Sequence, residues 1–80
     1  MTKSIFTKEY RTFLELLIQM RQTKNITQSA LAKKLKKPQS YVSKYESAER
    51  RLDIIETMNI VKVFNISLSD FCKKFEKILK

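Results

Sequence analysis

The chain contains no glycine and only one proline, Pro38, among its 80 residues. Sheet proteins turn through residues that accept a positive φ, and glycine is their usual supplier. The sequence also lacks the strict apolar–polar alternation of a half-buried strand. An all-α fold is what remains. The apolar content of 42% is enough for a folded core and too high for a disordered tail. So short a chain buries a modest fraction of its surface, so the core must come from well-packed helices or from a partner chain.

Five helices follow from apolar spacing and capping residues. The i, i+3, i+4 pattern of Tyr10, Phe13, Leu14, Leu17, Ile18 and Met20 predicts a helix from Thr7 to Thr23, with Thr7 as cap and Lys24-Asn25 as exit. Thr27 caps a short second helix, Gln28 to about Lys36, that buries Leu31, Ala32 and Leu35. Pro38 marks a break and a restart: Lys37 before it is pushed to extended backbone, and proline suits the first turn of a helix. The third helix then runs from about Gln39 to Ser47, with Val42 and Tyr45 inward and Gln39, Ser40, Ser43 and Lys44 outward. Asp53 with Glu56 reads as a capping pair for a fourth helix, Ile54 to Phe64, and Ser67 with Asp70 opens a fifth, Leu68 to about Leu79.

The fourth helix is apolar nearly all round, with Ile54, Ile55, Met58 and Val61 on one face and Ile60, Val63 and Phe64 on the other. The fifth carries a stripe of Leu68, Phe71, Cys72, Phe75, Ile78 and Leu79 to its end. One short chain hardly covers both. A two-fold homodimer is therefore expected, with Ile60, Val63, Phe75, Ile78 and Leu79 at its interface.

Charge sets the partner. The formal net charge is +9, from 17 Lys and Arg against 8 Asp and Glu. Between Arg21 and Arg51 stand nine basic residues and two acidic ones, a local charge of +7. Such clustering is an electrostatic footprint for a polyanion, nucleic acid first and an acidic membrane surface second. The chain has no histidine and one cysteine, Cys72, expected as a buried structural thiol in a reducing compartment. Catalytic triads, glycine-rich phosphate loops and His/Cys metal clusters are all missing, so the chain reads as no enzyme, with no cofactor, metal or small-molecule ligand indicated. No apolar run approaches the ~20 residues of a membrane span. Met1-Thr2-Lys3-Ser4 has no secretory apolar region behind it, and a cytoplasmic protein without a membrane partner is expected.

The central segment carries a resemblance. Arg21, Thr27-Gln28, Leu31-Ala32, Leu35, Val42-Ser43-Lys44, Tyr45-Glu46 and Arg50-Arg51-Leu52 together resemble the Cro/phage-repressor (XRE) family of helix-turn-helix regulators, over about Leu17 to Phe71. The resemblance implies a compact five-helix, lambda-repressor-like domain spanning 1–80, its helix-turn-helix at about 27–47 and helices at 53–79 supporting core and dimer. It implies a double-stranded DNA operator, read through the major groove by Gln39, Ser40, Tyr41, Ser43 and Lys44, with Gln39 suited to bidentate pairing with adenine. Phosphate contacts fall to Gln28, Lys36, Lys37, Arg50 and Arg51, and a structural ion pair to Arg21 and Glu46. The chain departs from the family where Asn25, Lys36 and Ala48 stand at frequent glycines, Lys37 at a frequently apolar position, and Pro38 at the usual Ser or Thr cap. A left-handed Lys36 costs ~1–2 kcal/mol.

Two other classes compete. A helical protein-interaction module with a basic surface, antitoxin-like for example, predicts an apolar groove and weak, salt-insensitive behaviour toward duplex DNA. RNA binding predicts aromatic residues interleaved with the basic patch, and only Tyr41 and Tyr45 qualify. Repressors, antitoxins and restriction-modification controller proteins all fit the pattern.

Overall fold

Thr7, Thr27, Asp53 and Ser67 each start a helix by accepting a backbone N–H three residues on, as the N-cap pattern in the sequence requires. The computed structural model describes residues 7–80; Met1–Ser4, for which no secretory region is expected, lies outside the described residues. The helices are α1 (Lys8–Thr23), α2 (Gln28–Leu35), α3 (Gln39–Glu46), α4 (Ile54–Val63) and α5 (Leu68–Leu79), with no strand among the described residues. At α4 the cap is a full capping box: Glu56 N donates to Asp53 Oδ1 at 2.7 Å, and Asp53 N donates back to Glu56 Oε1 at 3.0 Å. Pro38 is the N-cap residue of α3, at the position where the family usually carries Ser or Thr; it is extended at ψ 154° and supplies no side-chain cap.

The helix ends explain how a chain without glycine turns. Asn25, Lys36, Ala48 and Asn65 all take positive φ, between 56° and 68°. Each follows a helix, and each exit repeats one hydrogen-bond pattern. Asn25 N donates to Gln22 O and Ile26 N to Arg21 O; Lys36 N donates to Lys33 O and Lys37 N to Ala32 O. Ala48 N donates to Tyr45 O and Glu49 N to Lys44 O; Asn65 N donates to Lys62 O and Ile66 N to Val61 O. This is the Schellman closure, which satisfies the last carbonyls of a helix when the next residue is left-handed. Asparagine enters that region with little strain, whereas lysine and alanine bear ~1–2 kcal/mol each. The α1–α2 and α4–α5 connections share one grammar, Asn25-Ile26-Thr27 and Asn65-Ile66-Ser67: a left-handed asparagine, a partly buried isoleucine and the cap of the next helix.

Leu14, Leu16 and Leu17 of α1, Leu31 and Ala32 of α2, Tyr41, Val42 and Tyr45 of α3, Ile60 and Val61 of α4, Phe64 and Phe71 form one buried cluster. α2 packs chiefly on α3 and also on α4, while α1 lies against α3 and α5. An aromatic group ties α1 to α5: the Phe13 ring meets Phe71 and Phe75 edge-on at 5.9 and 6.0 Å. The fold is all-α with a helix-turn-helix at its centre.

Three expectations about burial are corrected. Ile60, assigned to a dimer interface, is fully buried in the chain's own core, because the inward face of α4 is Thr57, Ile60, Val61 and Phe64 at i, i+3, i+4 and i+7. Ile54 and Ile55, expected to belong to one apolar face with Val61, are 60% and 57% exposed. Ile55 lies across the helix from that inward row, and Ile54 stands at the outer end of the first turn. Cys72, expected to be buried, is exposed, since Phe71 and Phe75 take the inward line of α5 and Cys72 falls to its side.

Candidate nucleic-acid interface

α3 is held from behind at both ends. At its C-terminal end, Arg21 Nε donates to Glu46 Oε2 at 2.7 Å and Arg21 Nη2 to Glu46 Oε1 at 3.1 Å. The pair is well buried, with side chains 12% and 7% exposed. Arg21 Nη1 also donates to Ile26 O at 2.7 Å, and Gln28 Nε2 donates to Glu46 Oε1 at 2.9 Å. One carboxylate thus ties α1, the α1–α2 connection and the first residue of α2 to the last turn of α3. A fork of this kind gives direction as well as attraction.

Toward its other end, Tyr41 anchors α3 to α4. The Tyr41 hydroxyl donates to Glu56 Oε2 at 3.2 Å, and Arg50 Nη2 meets the same oxygen at 2.8 Å. Arg50, hydrogen-bonded to Glu56, together with the Asp53 backbone N–H, holds the Glu56 carboxyl below the usual carboxylate range, against the opposing pull of burial. Burial, then the nearby Glu56 charge, pushes the Tyr41 hydroxyl up to about 12, so it stays protonated and donates. Burial also pushes Tyr45 up. Its hydroxyl is buried with no hydrogen-bond partner among the described residues.

What α3 presents outward is polar. Gln39, at its first position, is exposed, as are Ser40 and Lys44, and Ser43 is half-buried. The Ser43 hydroxyl donates to Ser40 O at 3.4 Å. Tyr41 does not belong with them. It is only 9% exposed and turned toward Tyr45, whose ring lies 5.7 Å away and nearly perpendicular. The base-contact assignment of Tyr41 is therefore corrected. The signal was in the sequence: Tyr41 and Tyr45 are four residues apart and share a helix face.

The expected phosphate contacts scatter around this face. Lys36 is exposed at the left-handed turn between α2 and α3, and Lys37 follows it with its ammonium 5.3 Å from the Tyr41 ring centroid. Arg50 lies over the same ring at 4.9 Å, and Arg51 over Tyr10 at 4.8 Å. Gln28 sits at the start of α2, its amide nitrogen engaged by Glu46. Glu56 escaped the reading of the sequence as anything but a cap; its bonds to Tyr41 and Arg50 arise only when α3 and α4 are brought together.

Of the residues assigned to a dimer interface, Val63 and Phe75 are half-buried against the core, while Ile78 and Leu79 are 53% and 39% exposed. Among the described residues, no group of His, Cys, Asp and Glu could hold a metal ion, and no helix is long and apolar enough to cross a membrane.

The chain matches the Helix-turn-helix family model over residues 17–71. It is also similar to a solved structure, an XRE-family like protein from Pseudomonas syringae pv. tomato str. DC3000. The two are 40% identical with a TM-score of 0.87, the match covering 99% of this chain and 96% of that one. No curated protein matches.

Proposed function

Because the chain belongs to the XRE family of helix-turn-helix DNA-binding regulators, we propose that it is a sequence-specific transcriptional regulator, a repressor or controller protein, that reads a palindromic operator as a homodimer. The observation that carries the reading is the exposure of Gln39, Ser40 and Lys44 on α3 while Glu46 fastens that helix to Arg21 of α1 and Tyr41 fastens it to Glu56 of α4. A helix enters the major groove with its first turn toward the base edges. Gln39 reads a base there, and a carboxamide pairs bidentately with adenine. Ser40, Ser43 and Lys44 complete the base-facing set.

Lys36, Lys37, Arg50 and Arg51 take phosphates, and the N-terminus of α2 at Gln28 adds its backbone N–H groups. Phosphate contacts position the protein and specify little. Binding therefore weakens steeply with salt, since each contact releases a counterion.

Two copies meet through the end of α5. Ile78 and Leu79 continue the inward row of Phe71 and Phe75 by helical spacing, yet they remain exposed, so the stripe outruns the body it packs on. A second copy covers it. The chain measures 31 × 30 × 21 Å, so two copies side by side can present their third helices about 34 Å apart, one turn of duplex. We place the protein in the cytoplasm, where DNA and a reducing environment meet.

The deciding experiment is selection of bound duplexes from a random library with the wild-type chain and with Gln39→Ala. The wild type should return a palindrome with half-sites one turn apart, and the variant should lose preference at one base pair per half-site. Recovery of the same palindrome by both would remove Gln39 as a reader; recovery of no preferred sequence by the wild type would remove the function. A helical protein-interaction module, the rival class, has one observation in its favour: an apolar groove of about 470 Å³ between α1, α4 and α5, lined by Phe13, Ile54 and Phe75. Duplex affinity insensitive to salt would favour it.

A further inference from the structure

Two cations that bracket α3 in the sequence converge on one buried ring. Lys37 precedes the helix and Arg50 follows it, yet both lie over Tyr41, at 5.3 and 4.9 Å from the ring centroid. Cations within about 6 Å of a ring face are attracted by its quadrupole. Two of them near one ring also repel each other, and the arrangement persists because an anion is built in. Glu56 Oε2 takes both the Arg50 guanidinium and the Tyr41 hydroxyl.

The arrangement leaves the cations usable. Arg50 is 42% exposed in its side chain and carries five N–H groups. One goes to Glu56 and one, from Nη1, to Arg51 O at 3.0 Å, which leaves others for an incoming oxyanion. Lys37 is exposed, and a lysine side chain offers three N–H donors. Long charged side chains lose rotamer freedom when they bind. A ring that already orders them lowers that loss.

We infer that Tyr41 is a positioning residue for DNA-backbone contact: its ring, locked to α4 through Glu56, pre-orders Lys37 and Arg50 as a pair of phosphate ligands flanking the recognition helix. The inference rests on the DNA-reading function proposed above and assigns Tyr41 a role that sequence reading gave to base recognition. Protonation of the Tyr41 hydroxyl at every physiological pH keeps the lock in place.

The test is the salt dependence of binding to a duplex recovered by wild-type selection and to a scrambled duplex of equal length. Each phosphate contact contributes about 0.9 to the slope of log K against log salt. Tyr41→Phe keeps the ring but loses the hydroxyl's bond to Glu56, so its slope should fall between those of the wild type and Tyr41→Leu. Tyr41→Leu should be shallower by about 1–2 on both duplexes with the preferred sequence unchanged. In a Lys37→Ala/Arg50→Ala background, Tyr41→Leu should change nothing further. A wild-type slope for Tyr41→Leu overturns the inference, and so does a change in the preferred base. Should Tyr41→Leu lose its helical circular dichroism, the Lys37→Ala/Arg50→Ala variant decides, because both residues are exposed: a slope lower by about 2 supports the pair, and an unchanged one overturns it. A flat salt response of the wild type itself is a different result, which refutes DNA reading and this inference with it.

Discussion

Arg21 and Glu46 show how one buried pair can organise three helices. Glu46 accepts two bonds from Arg21 and one from Gln28, so removing the arginine strands a charge that has little water around it. Arg21→Ala should lower unfolding stability by about 3–5 kcal/mol, measured by urea denaturation; a shift below about 1 kcal/mol would mean the pair is a bystander. Tyr45 makes the opposite case. Its hydroxyl is buried without a partner among the described residues, and an unsatisfied buried group costs about 1–3 kcal/mol. Tyr45→Phe should therefore stabilise the protein by about 1 kcal/mol, and destabilisation in the same assay would reveal a partner for the hydroxyl. Glu56 supplies a pH dependence. Its carboxyl is held below the ordinary range by Arg50, so its contribution is present above the ordinary unfolded value and is lost as pH falls through the lower folded one. The stability gap between wild type and Glu56→Gln should accordingly close on acidification. Glutamine keeps the capping box, so a gap independent of pH would assign the loss to packing.

Helix ends are where this sequence is least comfortable. Four successive helices close on a left-handed residue, and none of those residues is glycine. Ala48 has no side-chain group to ease the conformation. Ala48→Gly relieves ~1–2 kcal/mol of strain against an unfolded-state cost of about 0.4–1 kcal/mol. The net gain should be about 0.5–1 kcal/mol, or about 3–6 °C in Tm for a chain of this size. Asn25→Gly and Asn65→Gly should gain less, because asparagine already tolerates the region. Equal gains at all three positions would show that φ strain is not what distinguishes them.

At the scale of the molecule, the balance is between a small core and apolar surface left over. Ile54, Ile55, Ile78 and Leu79 are the large apolar side chains that stay exposed among the described residues. Ile78 and Leu79 are exposed at the end of α5, which is why the proposed dimer interface is put there. Sedimentation should show a dimer at tens of micromolar without DNA, and Ile78→Asp with Leu79→Asp should yield a folded monomer whose duplex affinity falls by at least tenfold. A dimer undisturbed by those changes would move the interface to the face of Ile54 and Ile55.

The helical fold was legible from the residues alone because its causes are local. Caps at Thr7, Thr27, Asp53 and Ser67, the exit at Asn25 and the spacing of Leu14, Leu17, Leu31 and Val42 act within a turn or two of chain. The direction in which a residue faces is a different kind of fact. Ile60 and Ile55 are both apolar and five positions apart on one helix, and only the packing of α4 on α2 and α5 decides that the first is core and the second surface. Tyr41 looked like a base reader until α4 brought Glu56 to its hydroxyl, and Cys72 looked buried until Phe71 and Phe75 took the available room. Local chemistry fixes where helices begin and end; burial and partnership are set by which helices meet, and that is decided by the assembled core.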